Sequence, residues 1–341
     1  MRKVAVFALA LAAMSGSEVA LARGATVPDL SGTYDIATLT PLRRPPAYGN
    51  NLYLTPEEAA RIEAEEKARM DEGAQASDPS RSAPPEGGDG SEGAAGNVGG
   101  YNTFWIDRGT SAALVDGKFR TSIISSPDNG QQPPPTPEGQ KRFAKFFAQF
   151  RQNRGDAWWY PGPGPYDNPE SLTLSDRCLL GFSSTGGPPM LPALYNNLHR
   201  IVQTEDTVMI LVEMVHDARI IRLNAEHAPD DMRFWLGDSV GHWEGDTLVV
   251  DTTNFRDQPA LYGASRNLHV VERFSRNDDG SLLYSFTVDD PTIWTAPWSG
   301  EYPWPLTDDR VFEYACHEGN YAMEGILKGA RILEADRAAA P

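Results

Sequence analysis

A small set of polar residues on otherwise apolar stretches could carry chemistry in this sequence. His269, Glu213, Asp251 and Glu272 each stand among Val, Leu, Ile, Met or Phe residues. A histidine changes its charge near neutral pH, and a carboxyl group with apolar neighbours favours its protonated form. The sequence therefore predicts a general acid–base site, with His269 as the base and the three carboxylates orienting it or donating protons.

Each of these candidates also has a structural interpretation. Glu213 can form an ion pair with Arg219 or Arg222, and His269 can be a hydrogen-bonded histidine in the wall of a sheet. The histidines form no HxH or HExxH pair, so a zinc or copper site would have to be assembled across strands. The chain shows neither βαβ alternation nor a P-loop, and we expect an activity that needs no cofactor.

Three further polar residues are candidates for substrate contact. His242 lies on a predicted strand, and Arg273 shares a strand face with His269. Asp289 ends a predicted strand, which would place it at the mouth of a barrel. All three would then face a small molecule near the acid–base groups.

Aromatic residues crowd the last part of the chain, where Trp294 and Trp298 stand close to prolines. Such side chains can form a platform for a sugar ring or an aromatic ligand. They can equally close one end of a barrel, and the sequence does not choose between the two. We retain both tryptophans as candidate substrate-binding residues.

The elements that position these residues are predicted as short antiparallel strands. Alternation of apolar and polar residues gives the strands His199–Thr204, Thr207–His216, Arg219–Leu223, Val240–Glu244, Thr247–Thr253, Asn267–Asn277, Ser281–Asp289 and Arg310–Cys316. Tight turns such as Gly245-Asp246 separate several of them. The pattern predicts an all-β fold with a few peripheral helices, an antiparallel meander that closes into a lipocalin-like barrel or a sandwich.

Earlier in the chain the sequence predicts helices and a hairpin. Thr55 can cap a surface helix that runs to about Met70, and Thr136 can cap a second helix that runs to Asn153. The phenylalanines of the second helix form either a core contact or a wall that faces a ligand. Strands at Asp29–Tyr34, Tyr101–Asp107 and Phe119–Ser125 complete the prediction, the last two joined through a turn at Asp116-Gly117.

Residues 1–22 have the pattern of a cleavable secretory signal. Arg2 and Lys3 precede an apolar run from Val4 to Met14, and Ala20-Leu21-Ala22 supplies the small residues that signal peptidase requires. The run is much shorter than the roughly 20 residues that cross a bilayer, which disfavours a membrane anchor. We predict a periplasmic or secreted protein without stable membrane insertion.

Composition divides the remaining chain into four parts. We expect an N-terminal arm with a surface helix over residues 23–72 and a disordered Gly/Pro-rich linker over residues 73–100. The barrel-like domain takes residues 101–333, and residues 334–341 form a flexible tail. Because the linker can bury little apolar surface, the arm is expected to be tethered to the domain rather than integrated into it.

Charge and cysteine content limit the partners and the redox state. A net charge of -17 repels phosphate backbones, so the expected partner is a small molecule and not nucleic acid. Cys178 and Cys316 are most simply one disulfide in an oxidising compartment, worth about 4–5 kcal/mol by loop-closure entropy. A catalytic thiol is the alternative.

Several motifs together resemble a large family of secreted bacterial proteins, most of them without an established activity. They are His242–Val250 (HWEGDTLVV), Leu268–Phe274 (LHVVERF) and Asp289-Asp290-Pro291 with Trp294 and Trp298. The resemblance covers roughly Leu174 to Asn320, includes both cysteines, and implies topology and compartment only. Members often carry His where Asp238 stands here, so the acid–base group would differ if that position lines the site.

The sequence leaves more than one class of function open. The density of His and carboxylates on apolar strands favours a cofactor-independent lyase or isomerase acting on a small, partly apolar or sugar-like substrate. The main alternative is a non-catalytic periplasmic binding barrel for a hydrophobic or carbohydrate ligand. A metal-dependent hydrolase is a third possibility.

Overall fold

Residues 27–74, 106–148, 168–181, 184–257 and 259–339 are described by the computed structural model. Within them the helices are α1 (Pro56–Gly73), α2 (Pro137–Ala148) and α3 (Tyr321–Ala339). The strands are β1 (Gly32–Asp35), β2 (Leu114–Val115), β3 (Lys118–Phe119), β4 (Ile124–Ser126), β5 (Leu198–Gln203), β6 (Thr207–Val212), β7 (Ala218–Leu223), β8 (Asp238–Glu244), β9 (Thr247–Thr253), β10 (His269–Arg276), β11 (Leu282–Asp289), β12 (Trp298–Trp304) and β13 (Leu306–Thr307).

Eleven of the strands form one sheet, in the order β13-β1-β5-β6-β7-β8-β9-β10-β11-β12-β4. The mainly β class with peripheral helices is therefore confirmed. The sheet is not purely antiparallel, because β7 and β8 pair in parallel, and this corrects the expected meander. The long connection 224–237 returns the chain to the same end of the sheet, whereas the tight hairpins elsewhere reverse its direction.

The core lies on one face of this sheet. Strand alternation places Phe274, Tyr284 and Trp304 on that face, with ring centroids 5.0 Å apart for Phe274 and Tyr284 and 4.7 Å apart for Tyr284 and Trp304. All three side chains are buried. Aromatic packing at these separations contributes beyond the area buried, so this face is filled by side chains.

Near the C-terminus one predicted strand is wrong and one strand was not predicted. Residues Arg310–Cys316 form no strand, and Phe312 is 70% exposed. The strand beside β11 is β12 instead, in which Trp298, Tyr302 and Trp304 are buried. Gly300 and Pro303 conceal the alternation of this strand in the sequence, because both residues are typical of turns.

The N-terminal arm is part of the sheet, which corrects the expected tethered arm. β1 pairs with β5 on one side and with β13 on the other. α1 has the expected capping box between Thr55 and Glu58, and only Ala59 and Gly73 of this helix are buried. α1 is thus the surface helix that the sequence predicts.

Other predictions fall partly outside the described residues. The signal segment 1–22 and nearly all of the linker 73–100 lie outside them, as do residues 101–105 and 149–153 of the predicted strand and second helix. The turn at Asp116-Gly117 joins β2 to β3, and residues 106–107 form no strand. Residues 334–339, predicted as part of a flexible tail, are the last turns of α3.

The two cysteines form the predicted disulfide. Cys178 and Cys316 are bonded across a separation of 138 residues, and the bond ties the segment after β13 to the loop that precedes β5. A disulfide is consistent with an oxidising compartment. Among the helices of the described ranges, none combines the length and apolar character that crossing a membrane requires.

Candidate functional site

A histidine and a carboxylate meet on the face of the sheet opposite the core. Asp251 of β9 lies opposite Val271 of β10, so His269 lies one diagonal step away on the same face. Nε2 of His269 is 2.7 Å from Oδ2 of Asp251. The side chains of His269 and Asp251 are 41% and 36% exposed, which leaves the pair accessible to a solute.

The second oxygen of Asp251 binds another histidine. Nε2 of His227 is 2.9 Å from Oδ1 of Asp251, and Nδ1 of His227 is 3.0 Å from Oδ2 of Asp238. Asp238, the first residue of β8, lies opposite Thr253, which shares a face with Asp251. The hydrogen bonds form one chain, which we call the His–Asp chain, from Asp238 through His227 and Asp251 to His269.

Backbone and arginine contacts fix the far end of the His–Asp chain. Both oxygens of Asp238 accept hydrogen bonds from Nη2 of Arg222, at 2.9 and 3.0 Å, and the N–H of Ala228 donates to Oδ2 at 2.8 Å. Asn254 donates to the carbonyl oxygen of Ala228 at 2.8 Å. The connection between β7 and β8 is therefore held against the start of β8, with His227 in a defined position.

The protonation states of the residues in the His–Asp chain follow from these contacts. The hydrogen bond to Asp251 raises the pKa of His269, and burial acts in the opposite direction. Burial alone would raise the pKa of Asp251, but the hydrogen bond from His269 and the contact with His227 hold it below its ordinary value. The pKa of Asp238 is also lowered, because its hydrogen bonds and Arg222 outweigh burial. Both carboxylates are therefore ionised at neutral pH.

Glu272 lies on the opposite face, away from His269. Its carboxylate is fully buried and accepts hydrogen bonds from Nη1 of Arg219 at 2.9 Å and from the hydroxyl of Tyr284 at 2.8 Å. Arg219 also donates to Ser239 at 3.1 Å and to Thr252 at 2.9 Å. Glu272 is thus one half of a hydrogen-bonded ion pair in the core.

Glu213 is also separate from the other candidates. β6 ends at Val212, and the left-handed conformation of Val215 (φ 57) turns the chain where the sequence predicts a strand continuing to His216. The buried carboxylate of Glu213 accepts a hydrogen bond from the N–H of Phe312 at 2.9 Å. It therefore anchors the segment that follows β13.

Glu213 belongs to a group of acidic residues around Asp35. Burial, followed by the charges of Asp107, Asp309 and Glu213, raises the pKa of Asp35 from 3.8 to about 6. Between these values the folded protein keeps a proton that the unfolded chain has released, so the free energy of unfolding falls as pH rises. At pH 7 the ionised Asp35 destabilises the fold.

Asp35→Asn should therefore stabilise the protein at pH 7, by about 1–2 kcal/mol, and have a smaller effect at pH 4. The amide oxygen can still accept the hydrogen bond from Ala37, which is 2.9 Å long in the native protein. Urea denaturation at both pH values measures the effect. Asp29 is the matched control, because hydrogen bonds from Ser31 lower its pKa and Asp29→Asn should not stabilise. Equal stability of the Asp35→Asn and native proteins at pH 7 would contradict the prediction.

The predicted substrate-binding residues lie in different surroundings. His242 contacts Glu244 at 3.2 Å, and Arg273 contacts the same glutamate at 2.7 Å, on the solvent side of the sheet. Asp289 lies opposite His269 in the β10–β11 register, and its charge also raises the pKa of His269. Of these three residues, Asp289 is the one directly beside the acid–base pair.

Trp294 and Trp298 belong to the core. Their side chains are 2% and 0% exposed, and their ring centroids are 5.8 Å apart. Trp298 also packs edge-on against Phe286, at 5.7 Å. A ligand on the surface does not reach these indoles, which contribute to the packing of the sheet.

A sequence pattern found around nucleophilic serines, GxSxG, has a structural role in this protein. Residues Gly237 to Gly241 fit the GxSxG pattern, whose serine is nucleophilic when it sits on a sharp turn between a strand and a helix. Here Ser239 is buried within β8 and hydrogen-bonded to Arg219 and Thr252, so it is not presented as a nucleophile.

Within the described part of the chain, no group of three or more His, Cys, Asp or Glu residues is arranged to hold a metal ion.

The sequence identifies one half of the His–Asp chain and misses the other. Alternation puts Asp251 and His269 on strand faces, where a contact can be foreseen, but His227 lies in a connection without periodicity. Asp238 is marked only by the family resemblance, which stays a prediction.

No protein-family model, curated protein or solved structure significantly matches this chain.

Proposed function

We propose that this protein is an acid–base enzyme of the lyase or isomerase type, in which His269 is the base and Asp251 orients it. The observation that carries the proposal is the 2.7 Å hydrogen bond from Nε2 of His269 to Asp251 on an accessible face. Among the described residues, Nδ1 of His269 has no hydrogen-bond partner. It is free to face a substrate, with Asp251 fixing the tautomer of the ring.

The proposed chemistry is a proton transfer that needs no cofactor. Nδ1 of His269 accepts a proton from a carbon acid, and the carboxylate of Asp251 stabilises the resulting imidazolium. Return of the proton to another atom of the substrate completes an isomerisation, whereas its transfer to a departing group completes an elimination. Arg273 and His242 contact Glu244 on the same face, and we propose that this polar patch binds the polar part of a small substrate.

Hydrogen–deuterium exchange tests this function without knowledge of the substrate. Pools of small carbonyl and sugar compounds are incubated with the protein in D2O, and deuterium uptake is measured by mass spectrometry. After return to H2O, which removes deuterium from hydroxyl groups, the proposal expects a compound that keeps one carbon-bound deuterium with the native protein and the His242→Asn variant, but not with His269→Asn. Equal exchange with native protein and His269→Asn, or none in any pool, would overturn it.

A cavity beneath α1 favours ligand binding as a second candidate function. It has a volume of about 880 Å³, within the range of small-molecule sites. Its apolar lining comes mainly from Leu39, Pro41, Leu42, Ile62, Ile123, Leu191, Leu194 and Met214. The ion pair between Glu66 and Arg69 lies at its wall, which suits a molecule with an apolar body and one polar end.

Native mass spectrometry distinguishes this function. An apolar ligand bound in the cavity should be retained by the protein as purified. Ile62→Trp should weaken its binding, because the larger indole occupies part of the cavity beside the ligand. Ile332→Trp is the matched control, because Ile332 lies on α3 and is 54% exposed. A ligand retained equally by both variants would place it elsewhere, and a native protein without bound mass would contradict the binding function.

We propose further that the sheet closes into a barrel in a protein exported to the periplasm. β12 and β13 lie near opposite ends of the strand order, yet only Pro305 separates them, so these ends lie within about 8 Å of each other. The N–H of Asp35 in β1 donates to the carbonyl oxygen of Pro305, which supports closure. Nuclear Overhauser contacts of residues 304–306 with both β1 and β11 test closure.

Export with cleavage after residue 22 is tested by the mass of the protein purified from the periplasm. The mass should be that of residues 23–341, and a periplasmic protein of full-length mass would contradict cleavage.

A further inference from the structure

His227 has an unusual hydrogen-bonding environment for a histidine. Each of its ring nitrogens faces a carboxylate oxygen, Asp238 at 3.0 Å from Nδ1 and Asp251 at 2.9 Å from Nε2. An ionised carboxylate only accepts hydrogen bonds, and a neutral imidazole has one donor and one acceptor nitrogen. A neutral ring would therefore turn a lone pair toward one of the two carboxylates. Both contacts are satisfied when the ring carries a proton on each nitrogen.

We propose that His227 is a positioning residue, an imidazolium clamped between Asp238 and Asp251 that fixes Asp251 and moderates its effect on His269. For its catalytic meaning this inference rests on the proposed function. Each oxygen of Asp251 binds one histidine, Oδ1 to His227 and Oδ2 to His269, which fixes the plane of the carboxylate. The arrangement orients His269 more firmly than a single contact would.

The charge of His227 gives the clamp a second effect. Asp251 and Asp289 both favour the protonated form of His269, and a base that stays protonated cannot accept a proton. The imidazolium of His227 neutralises part of the charge of Asp251 and so favours release of the proton from His269. The charged groups around the two rings are Arg222 on β7, Asp238 on β8, Asp251 on β9, His269 on β10 and Asp289 on β11.

Burial distinguishes His227 from an ordinary surface histidine. Its side chain is 29% exposed and the carboxylate of Asp238 is 10% exposed, whereas the exposures of His242 and Glu244 are 53% and 50%. Screening by water is correspondingly weaker around His227. Arg222 and the N–H of Ala228 hold Asp238 ionised, so both carboxylates that flank His227 are negatively charged.

Nitrogen-15 NMR of the histidine rings tests the clamp directly. At pH 7.5, where an ordinary histidine is mostly neutral, both ring nitrogens of His227 should have the chemical shifts of protonated donors. Asp238→Asn should lower the protonated fraction at this pH, because one of the two carboxylate charges is removed. A native His227 with one unprotonated ring nitrogen at pH 7.5 would overturn the proposal.

The effect on His269 is tested with a series of variants. His227→Gln removes the positive charge, and the titration midpoint of His269 should rise by about 0.5–1 pH unit. His227→Arg keeps a cation between the carboxylates and should return the midpoint toward the native value. His242→Gln, the matched control, removes a histidine that does not contact Asp251 and should leave the midpoint unchanged.

Two results would contradict this effect: an unchanged midpoint in His227→Gln, or equal shifts in His227→Gln and His227→Arg. Native circular dichroism spectra establish that the variants are folded. The titration uses no substrate, so the clamp can fail while the deuterium-exchange result stands, and the reverse outcome is equally visible.

Discussion

His269→Asn is expected to lower turnover about 10²-fold or more, because asparagine can form hydrogen bonds but cannot carry the transferred proton. Asp251→Asn should cause a loss of similar size for a different reason. An amide that donates to Nε2 of His269 moves the ring proton to Nδ1, which is the nitrogen that must accept a proton from the substrate. The rate of deuterium uptake by the exchanging compound measures both effects.

His242→Asn is the matched control for both variants. His242 lies on the same side of the sheet but contacts Glu244, and its side chain is 53% exposed. The substitution should raise KM with little effect on kcat if the polar patch around Glu244 binds substrate. A folded His269→Asn variant with native turnover would rule out His269 as the base.

Arg219→Met is expected to destabilise the fold by about 3–5 kcal/mol, because it leaves the carboxylate of Glu272 without its counter-charge. The side chains of Arg219 and Glu272 are 2% and 0% exposed, so water cannot replace the lost contacts. Tyr284 would continue to donate to Glu272, but one neutral donor does not offset the burial of a charge. Urea denaturation at pH 7 measures the loss.

Two further variants separate the energy of the pair from the cost of breaking it. Arg219→Met combined with Glu272→Leu removes both charges and should recover most of the lost stability. Arg273→Met breaks the exposed contact with Glu244 and should cost no more than about 1 kcal/mol. If Arg219→Met costs no more than Arg273→Met, the buried pair is not a major determinant of stability.

The sequence predicts the strands where alternation is regular. β9 has its predicted bounds, Thr247–Thr253, and β11 begins one residue later than predicted. A short turn precedes each of these strands and marks where it begins. β6 is predicted too long because apolar residues continue beyond Val212, into a turn that hydrophobicity cannot reveal. The parallel pairing of β7 with β8 is also invisible, since neither strand's own pattern specifies the direction of its neighbour.

The candidate site is predictable to the extent that it lies on strands. Alternation separates Asp251 from its buried neighbours and puts His269 on a strand face, so their contact needs only the correct register. The same rule places Glu272 and His269 on opposite faces, so only one of them can belong to an exposed site. His227 could not be found in this way, because the position of a residue in a long connection depends on tertiary contacts.

The pairing of β1 with β13 has a consequence for the time at which the protein can fold. Thr33 lies opposite Thr307, so the sheet cannot be completed until residue 307 has left the ribosome. Contacts between such distant residues form late, because a long loop must close first. The local hairpins, such as β8 with β9, can form earlier, but the pairing of β1 with β13 must wait for residues 306–307.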